Sequence, residues 1–283
     1  MPFPHGAPLW TDLHTSDPDA DLAFFAPLFG WEGRRLGSGQ GGRLELFRPE
    51  DGKVVGGIVP RHPDDGGRDT DGELVQGLAP RHSDNGLDRS GAAHDAAGSR
   101  WLASFRVPTC DAAVEKALIL GAGLRVQAVD WEGSARWAML TDPTGADFIV
   151  LQQLDPDFGF QAVDEVGAPC WFEYGYAGEL AELAEFYEEL FEWKTTPVEE
   201  DRFRVLEIAD MPRAFGGFQR DDGPGAGYRG RWTVMFHTPD LDETLSRALD
   251  TGAEQIEGVW RSNDYRWCVL RSPQGASFGI RGR

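Results

Sequence analysis

Two histidines and two carboxylates have the types and spacing for acid–base chemistry. Asp12 and His14 stand two residues apart in the segment Leu9-Trp-Thr-Asp-Leu-His-Thr15, while Glu173 follows Trp171 and His237 ends Thr233-Val-Met-Phe-His237. A histidine that titrates near neutral pH, oriented by a carboxylate, can act as general base in an isomerisation, cyclisation or elimination. Tryptophans stand beside these groups at Trp10 and Trp171, and an indole offers a flat apolar face to a planar ligand. Period-two alternation puts Trp10, Asp12 and His14 on one strand face, opposite Leu9, Thr11, Leu13 and Thr15. By the same test Leu102, Ser104 and Arg106 oppose Trp101, Ala103, Phe105 and Val107; Trp171, Glu173 and Gly175 share a face, as do Thr233, Met235 and His237. No glycine-rich nucleotide loop follows a strand and opens a helix, and no Gly-x-Ser-x-Gly elbow is present.

Composition narrows the partners. The 283 residues carry 27 Lys+Arg against 47 Asp+Glu, a net charge of 27 − 47 = −20. Nucleic acids and anionic membranes recruit proteins through basic clusters, so neither is an expected partner, whereas cationic small molecules remain open. Cys110, Cys170 and Cys268 are far apart and odd in number, which fits free thiols in a reducing compartment. With no apolar run of ~18 residues and no leader-like start, the expectation is a soluble cytoplasmic protein, monomeric or homodimeric.

The elements that position these groups occur twice. Gly6-Ala-Pro-Leu-Trp10-Thr-Asp12 matches Gly167-Ala-Pro-Cys-Trp171-Phe-Glu173, and Leu28-Phe-Gly-Trp31 matches Leu190-Phe-Glu-Trp193. Arg100-Trp101 matches Arg231-Trp232, Trp137 matches Trp267, and Asp142-Pro-Thr-Gly145 matches Ser272-Pro-Gln-Gly275. The offset falls from 161 (167 − 6) to 131 (231 − 100), so the first copy carries an insertion between Gly57 and Arg100. Residues 61–99 lack aromatics and are rich in Gly, Asp and Arg, the composition of a solvated loop able to act as a lid. Its His62-Pro-Asp64 and His82-Ser-Asp84 also leave open a metal-binding tract. Within each half the order is strand, helix, strands, twice: a helix after Asp17-Pro18 closed by Gly30, with Pro27 disturbing its last turn, then helices near 111–120, 179–191 and 241–250. The expected fold is α+β, a tandem duplication of paired βαβββ modules forming cupped mixed β-sheets. One half spans 1–155, with a mobile insertion at about 60–99, and the other spans 156–283.

This arrangement, with the Gly-x-Pro-x-Trp opening, the Leu-Phe-Gly-Trp helix end and Asp-Pro-x-Gly before a last strand, resembles the vicinal oxygen chelate superfamily. The likeness covers nearly the whole chain outside 61–99 and is nearest to tandem four-module actinomycete proteins associated with antibiotic pathways. It implies glyoxalases, ring-cleaving dioxygenases and bleomycin-resistance-type binders as relatives, with a divalent metal held on the first and last strands of each module. Those positions here fall at Trp10, Leu102, Trp171 and Thr233, and at Ile149 and Gly279; the other two last strands read Val54-Val-Gly-Gly-Ile58 and Ala214-Phe-Gly-Gly-Phe218. None is His, Asp or Glu, so no metal and no other cofactor is expected. The Gly-Gly pairs at 56–57 and 216–217 read as tight strand packing.

The resemblance also assigns the faces, and the cup walls then carry tryptophan with sparse ionisable groups, the makeup of a small-molecule pocket. Trp31, Trp101, Trp193 and Trp232 fall where the fold needs core. Trp10 and Trp171 either stack a ligand or fill a cavity, and Trp137 and Trp267, with Met139 and Val269 on their faces, line either a mouth or a core, as do Trp131 and Trp260. The expected function is metal-independent binding, in a tryptophan-lined cup, of an aromatic small molecule or natural product, cationic or neutral, as an antibiotic-binding, resistance or biosynthetic accessory protein. Trp10, Trp171, Arg106, Met235, Trp137 and Trp267 would contact the ligand, and Asp12 or Glu173 would either balance an amine or hydrogen-bond a phenol of the ligand, or else bond backbone or an arginine in a structural role. The alternative is a tailoring enzyme using His14 or His237 with Asp12 or Glu173. A metal variant of it would join Asp12, His14 and His237, should the first and fourth modules share a cup.

Overall fold

The computed structural model describes residues 3–36, 42–61, 98–221, 230–262 and 265–282. The loop, lid and metal-tract readings of the insertion therefore lie outside the described residues. The first half runs β1 Pro8–Thr15, α1 Pro18–Phe29, β2 Glu32–Arg35, β3 Leu44–Phe47 and β4 Val54–Pro60, then β5 Arg100–Arg106, α2 Cys110–Ile119, β6 Gly123–Trp131, β7 Ala135–Thr141 and β8 Asp147–Gln153. The second runs β9 Pro169–Tyr176, α3 Leu180–Phe191, β10 Lys194–Val198, β11 Phe203–Glu207 and β12 Gly216–Arg220, then β13 Arg231–His237, α4 Leu241–Asp250, β14 Glu254–Gln255, β15 Trp260–Ser262, β16 Tyr265–Arg271 and β17 Ser277–Gly282.

Local chemistry explains the helix ends. The Asp17 side chain accepts from Ala20 N, Pro18 sits in the first turn, and Gly30 closes α1 in the left-handed region at φ 71°. The helix runs through Pro27 to Phe29, because a proline this near the C-terminus removes one hydrogen bond without ending the element.

The two sheets have corresponding strand orders, β2-β3-β4-β1-β5-β8-β7-β6 and β10-β11-β12-β9-β13-β17-β16-β14, with β15 paired to β16. Each is mixed: β1 runs parallel to β4 and antiparallel to β5, and β9 runs parallel to β12 and antiparallel to β13. The first and second modules thus share one cup, and the third and fourth share the other. That arrangement overturns the metal variant, because Asp12 and His14 belong to the first sheet and His237 to the second.

The faces away from the cups form a common core. Where β5 meets β13, Phe105 packs on Trp232 at 5.0 Å between centroids and Trp101 on Phe236 at 5.1 Å. Helix α1 drives Phe25 against Phe278 and Phe29 against Phe236 in the other half, each at 5.0 Å. Helix α3 does the converse, with Phe191 on Phe105 at 5.3 Å and Tyr187 on Phe148 at 5.7 Å. Trp31, Trp101, Trp193 and Trp232 are buried here, as their positions in the repeat required. A polar clasp crosses the same interface: Tyr187 donates to Asp142 Oδ2 at 2.9 Å and accepts from Trp232 Nε1 at 3.0 Å. Burial raises the Asp142 carboxyl above the ordinary aspartate range, against the pull of its hydrogen bonds from Thr144, Ala146 and Tyr187.

Candidate functional site

Each cup begins at a register irregularity. Pairing shifts between Pro8 and Trp10 on β1, and between Met235 and Phe236 opposite the start of β9, so both Trp10 and Trp171 follow a local break in the ladder. Such irregularities re-aim side chains at the rim of a sheet. From there the two cups differ.

The first cup is filled. Trp10 is only 3% exposed, with Phe158 at 5.1 Å, Phe160 stacked at 6.1 Å and Trp131 edge-on at 6.2 Å. Phe158 and Phe160 come from the segment joining the halves, which is tied to β1 by Phe160 N donating to Leu9 O at 3.0 Å. Across the cup, the Arg43 guanidinium lies 3.7 Å over the Trp131 ring and bonds Asp12 Oδ2 at 2.8 Å. Asp12 is thus committed to Arg43 rather than to His14. In the described structure Trp10 fills a cavity, and its stacking surface is covered by protein.

His14 lies deeper along the same face, opposite Arg100, and its Nε2 is buried without a hydrogen-bond partner. Burial, then the positive charges of Arg100, Arg43 and Arg61, hold its pKa well below the usual histidine value. It is a neutral imidazole at pH 7, able to accept a proton from a bound group. Arg100 is paired with Asp147 at 2.6 Å, and Arg61 donates to Gly98 O, so the two ends of the insertion meet beside this histidine. Farther along β5, Arg106 faces Leu151, next to half-buried Trp137 on β7. The Arg106 Nε is buried without a partner.

The second cup stands apart from the common core. Met235 and Val269 form a separate cluster with half-buried Cys170, Trp171 and Trp267 and with Ile256. Opposite Met235 the register puts Trp171 and Gly279, and beyond them Trp267 stands opposite Arg281, itself opposite His237. Arg281 reaches back over the aromatic wall, 5.2 Å from the Trp171 ring and 4.1 Å from the Tyr265 ring. Trp260, paired with Trp267 on the outer strand, is 58% exposed. At the other end Glu173 is 4% exposed and accepts from Trp171 Nε1 at 3.3 Å, beside Thr233. His237 is not joined to Glu173 by any hydrogen bond among the described residues.

Neither set of family metal positions fits an ion. Trp10, Leu102 and Ile149 in the first cup, and Trp171, Thr233 and Gly279 in the second, provide one hydroxyl where several O or N donors must converge. The Met235 side chain lies in the space a Cβ at Gly279 would take. Among the described residues no group of three His, Cys, Asp or Glu side chains is placed to hold a metal. The Gly-Gly pairs divide their work: Gly56 and Gly216 press against the backbone of Thr11 and Phe172, while Gly57 and Gly217 leave room for Asp12 and for the Phe203 ring.

Residues missed in the sequence were Arg43, Phe158, Phe160, Tyr265 and Arg281. Arg281 was accessible by alternation, two residues beyond Gly279 on one strand. The others come from a distant strand or the connecting segment, where spacing alone does not point into a cup.

Residues 175–281 match the glyoxalase-like domain family. The whole fold corresponds to that of the Mn(II)-bound glyoxalase from Novosphingobium aromaticivorans, with a TM-score of 0.61 at 12% identity over 99% of this chain and 83% of that one. It also corresponds to 2,2',3-trihydroxybiphenyl 1,2-dioxygenase from Sphingomonas wittichii, with a TM-score of 0.58 at 12% identity over 99% and 91%. The second half thus carries a glyoxalase-like domain, and the whole chain has the fold shared by these glyoxalase and dioxygenase structures. In sequence it is similar to CFP32 of Mycobacterium tuberculosis, a protein named as a glyoxylase, at 28% identity over 98% of this chain and 95% of that protein. It is also similar to the anthracycline biosynthesis protein DnrV of Streptomyces peucetius, at 27% over 98% and 94%.

Proposed function

We propose that the chain binds a planar polycyclic aromatic natural product in its second cup, without a metal, and serves the biosynthesis of such a compound. The observation that carries this reading is the contrast between the cups. Trp10 is capped by Phe158 and Phe160, whereas Trp171 and Trp267 stay half-buried around Met235 in a cluster of their own, with half-buried Tyr265 joined to that wall through Arg281. Half-buried aromatics around a flexible methionine suit a flat ligand. The similarity to proteins named for anthracycline biosynthesis supports a polycyclic ligand, and the donor-poor metal positions support metal independence.

Titration with 1,8-dihydroxyanthraquinone, followed by tryptophan emission, tests the site. Saturable quenching is expected, weakened about tenfold or more in Trp171→Ala or Trp267→Ala, as loss of a stacking wall requires. Absence of saturable quenching defeats the reading. Stoichiometric transition metal in the purified protein, by elemental analysis, would overturn metal independence.

A second reading, a tailoring enzyme, draws on His14. A buried neutral imidazole with an unpartnered Nε2, flanked by guanidinium groups, can take a proton from a substrate whose resulting anion those cations stabilise. Turnover of a ligand abolished by His14→Gln, with binding retained, would establish it.

A further inference from the structure

Among the described residues Arg281 is the one cation that lies over the aromatic wall of the second cup, and it has no carboxylate partner there. Its polar contacts are with Cys170, a long bond from a guanidinium N–H to the backbone O at 3.4 Å and an interaction with the neutral thiol, and it also lies over the faces of Trp171 and Tyr265. A guanidinium presents several N–H donors in one plane, so most of these point elsewhere. Asp164, whose charge also reaches Cys170, is paired with Arg213 at 2.8 Å. Next to Arg281 in the sheet stands His237, whose Nδ1 is buried without a hydrogen-bond partner. The corresponding neighbours in the first sheet are Leu151 and Arg106, and the stacked arginine of the first cup, Arg43, is paired with Asp12, so Arg281 differs from it in having no carboxylate partner among the described residues.

We infer that the second cup selects planar aromatics bearing an acidic group, a carboxylate or an ionised phenol, which pairs with Arg281 while the rings lie against Trp171, Trp267 and Tyr265. The inference rests on the reading of that cup as the ligand site. Three arguments support it. A stacked guanidinium is held in a fixed plane and can meet a carboxylate with two parallel hydrogen bonds. The unpartnered His237 Nδ1 offers a further polar contact beside it. A cationic ligand, in contrast, would bring like charge against Arg281, and the carboxylate on this wall, Glu173, lies at the opposite end under Trp171. The overall charge of −20 works against anions at long range, but salt near 0.15 M screens it beyond about 8 Å, leaving the local arginine to decide.

The experiment is calorimetric titration of the whole chain, at one salt concentration, with anthraquinone-2-carboxylate, anthraquinone-2-carboxamide and 2-(aminomethyl)anthraquinone. The carboxylate is expected to bind about tenfold or more tightly than the amide, with the amine weakest. In Arg281→Gln the carboxylate-to-amide ratio should collapse toward one, and in Arg281→Lys it should be partly kept. Equal affinity for the three probes, with binding lost in Trp171→Ala, overturns the inference and leaves the cup as the site. A carboxylate preference that persists in Arg281→Gln overturns it too. Failure of all three to bind defeats both the inference and the reading beneath it. The wild-type series decides even where a variant folds poorly.

Discussion

Trp31 of the first half donates its indole N–H to Gly167 O of the second at 2.6 Å, and Trp193 returns the same bond to Gly6 O at 2.9 Å. The reciprocal pair fixes each helix end to the start of the other half's first strand. Both glycines adopt φ 74°, a conformation that side chains resist. Trp31→Phe keeps the ring but strands a buried carbonyl, so a loss of about 1–3 kcal/mol is expected. Gly167→Ala should cost more than Gly30→Ala: both have positive φ, but a Cβ at Gly167 meets Phe29 O at 2.7 Å, whereas nothing lies within 4 Å of one at Gly30. Denaturant unfolding of the three variants checks the ranking, and equal costs for the two glycines would contradict it.

The two cup tryptophans should separate stability from binding. Trp10→Ala leaves a cavity among Trp131, Phe158 and Phe160 and is expected to destabilise by roughly 3–5 kcal/mol. Trp171→Ala removes a half-buried ring from a satellite cluster, so it should cost less stability and more affinity. Parallel unfolding and quenching titrations decide this, and the reverse pattern would mean that the first cup opens to take the ligand.

Much of this architecture was legible in the chain because repetition repeats its errors rarely. Matching Gly6-Ala-Pro-Leu-Trp10 with Gly167-Ala-Pro-Cys-Trp171 set module order and strand phases; alternation along β1 and β9 grouped Trp10 with Asp12 and Trp171 with Glu173, and the family resemblance assigned those faces to the cup side. What alternation cannot show is occupancy. Whether Trp10 faces a ligand or Phe158 depends on a connecting segment some 150 residues away, whose path follows from packing rather than local pattern. The same limit hid Arg43, which determines that Asp12 is already bonded.

His14 should make stability fall in mild acid. Its folded pKa lies well below 6.5, so between the two values the unfolded chain binds a proton that the folded chain excludes. The contribution is complete above about pH 6.5 and is lost as pH drops below it. Asp21 and Asp142 act oppositely: burial raises their folded pKa above 3.8, so their contribution declines as pH rises through that lower window. Thermal unfolding from about pH 7.5 to pH 5.5 should therefore show a smaller decline in His14→Gln than in the wild type. An unchanged slope would show that His14 is charged in the folded protein.

Corresponding glycines should respond differently to one added methyl group. A Cβ at Gly57 would run into Asp12 Oδ1 and lie 3.1 Å from Leu44 O, and Asp12 cannot swing aside because Arg43 holds it. Breaking that pair beneath Trp131 is expected to cost about 1–3 kcal/mol in Gly57→Ala. A Cβ at Gly217 meets only the end of the Phe203 ring among the atoms nearest it, and a half-buried phenyl can rotate away. Gly217→Ala should thus change stability by under about 1 kcal/mol while shifting the affinity for a planar probe, because Phe203 lies on the cup face. Unfolding and titration of the two variants measure both effects. A larger stability loss in Gly217→Ala would show that the second cup is packed as firmly as the first, and the distinction between a filled and an adaptable cup would fall with it.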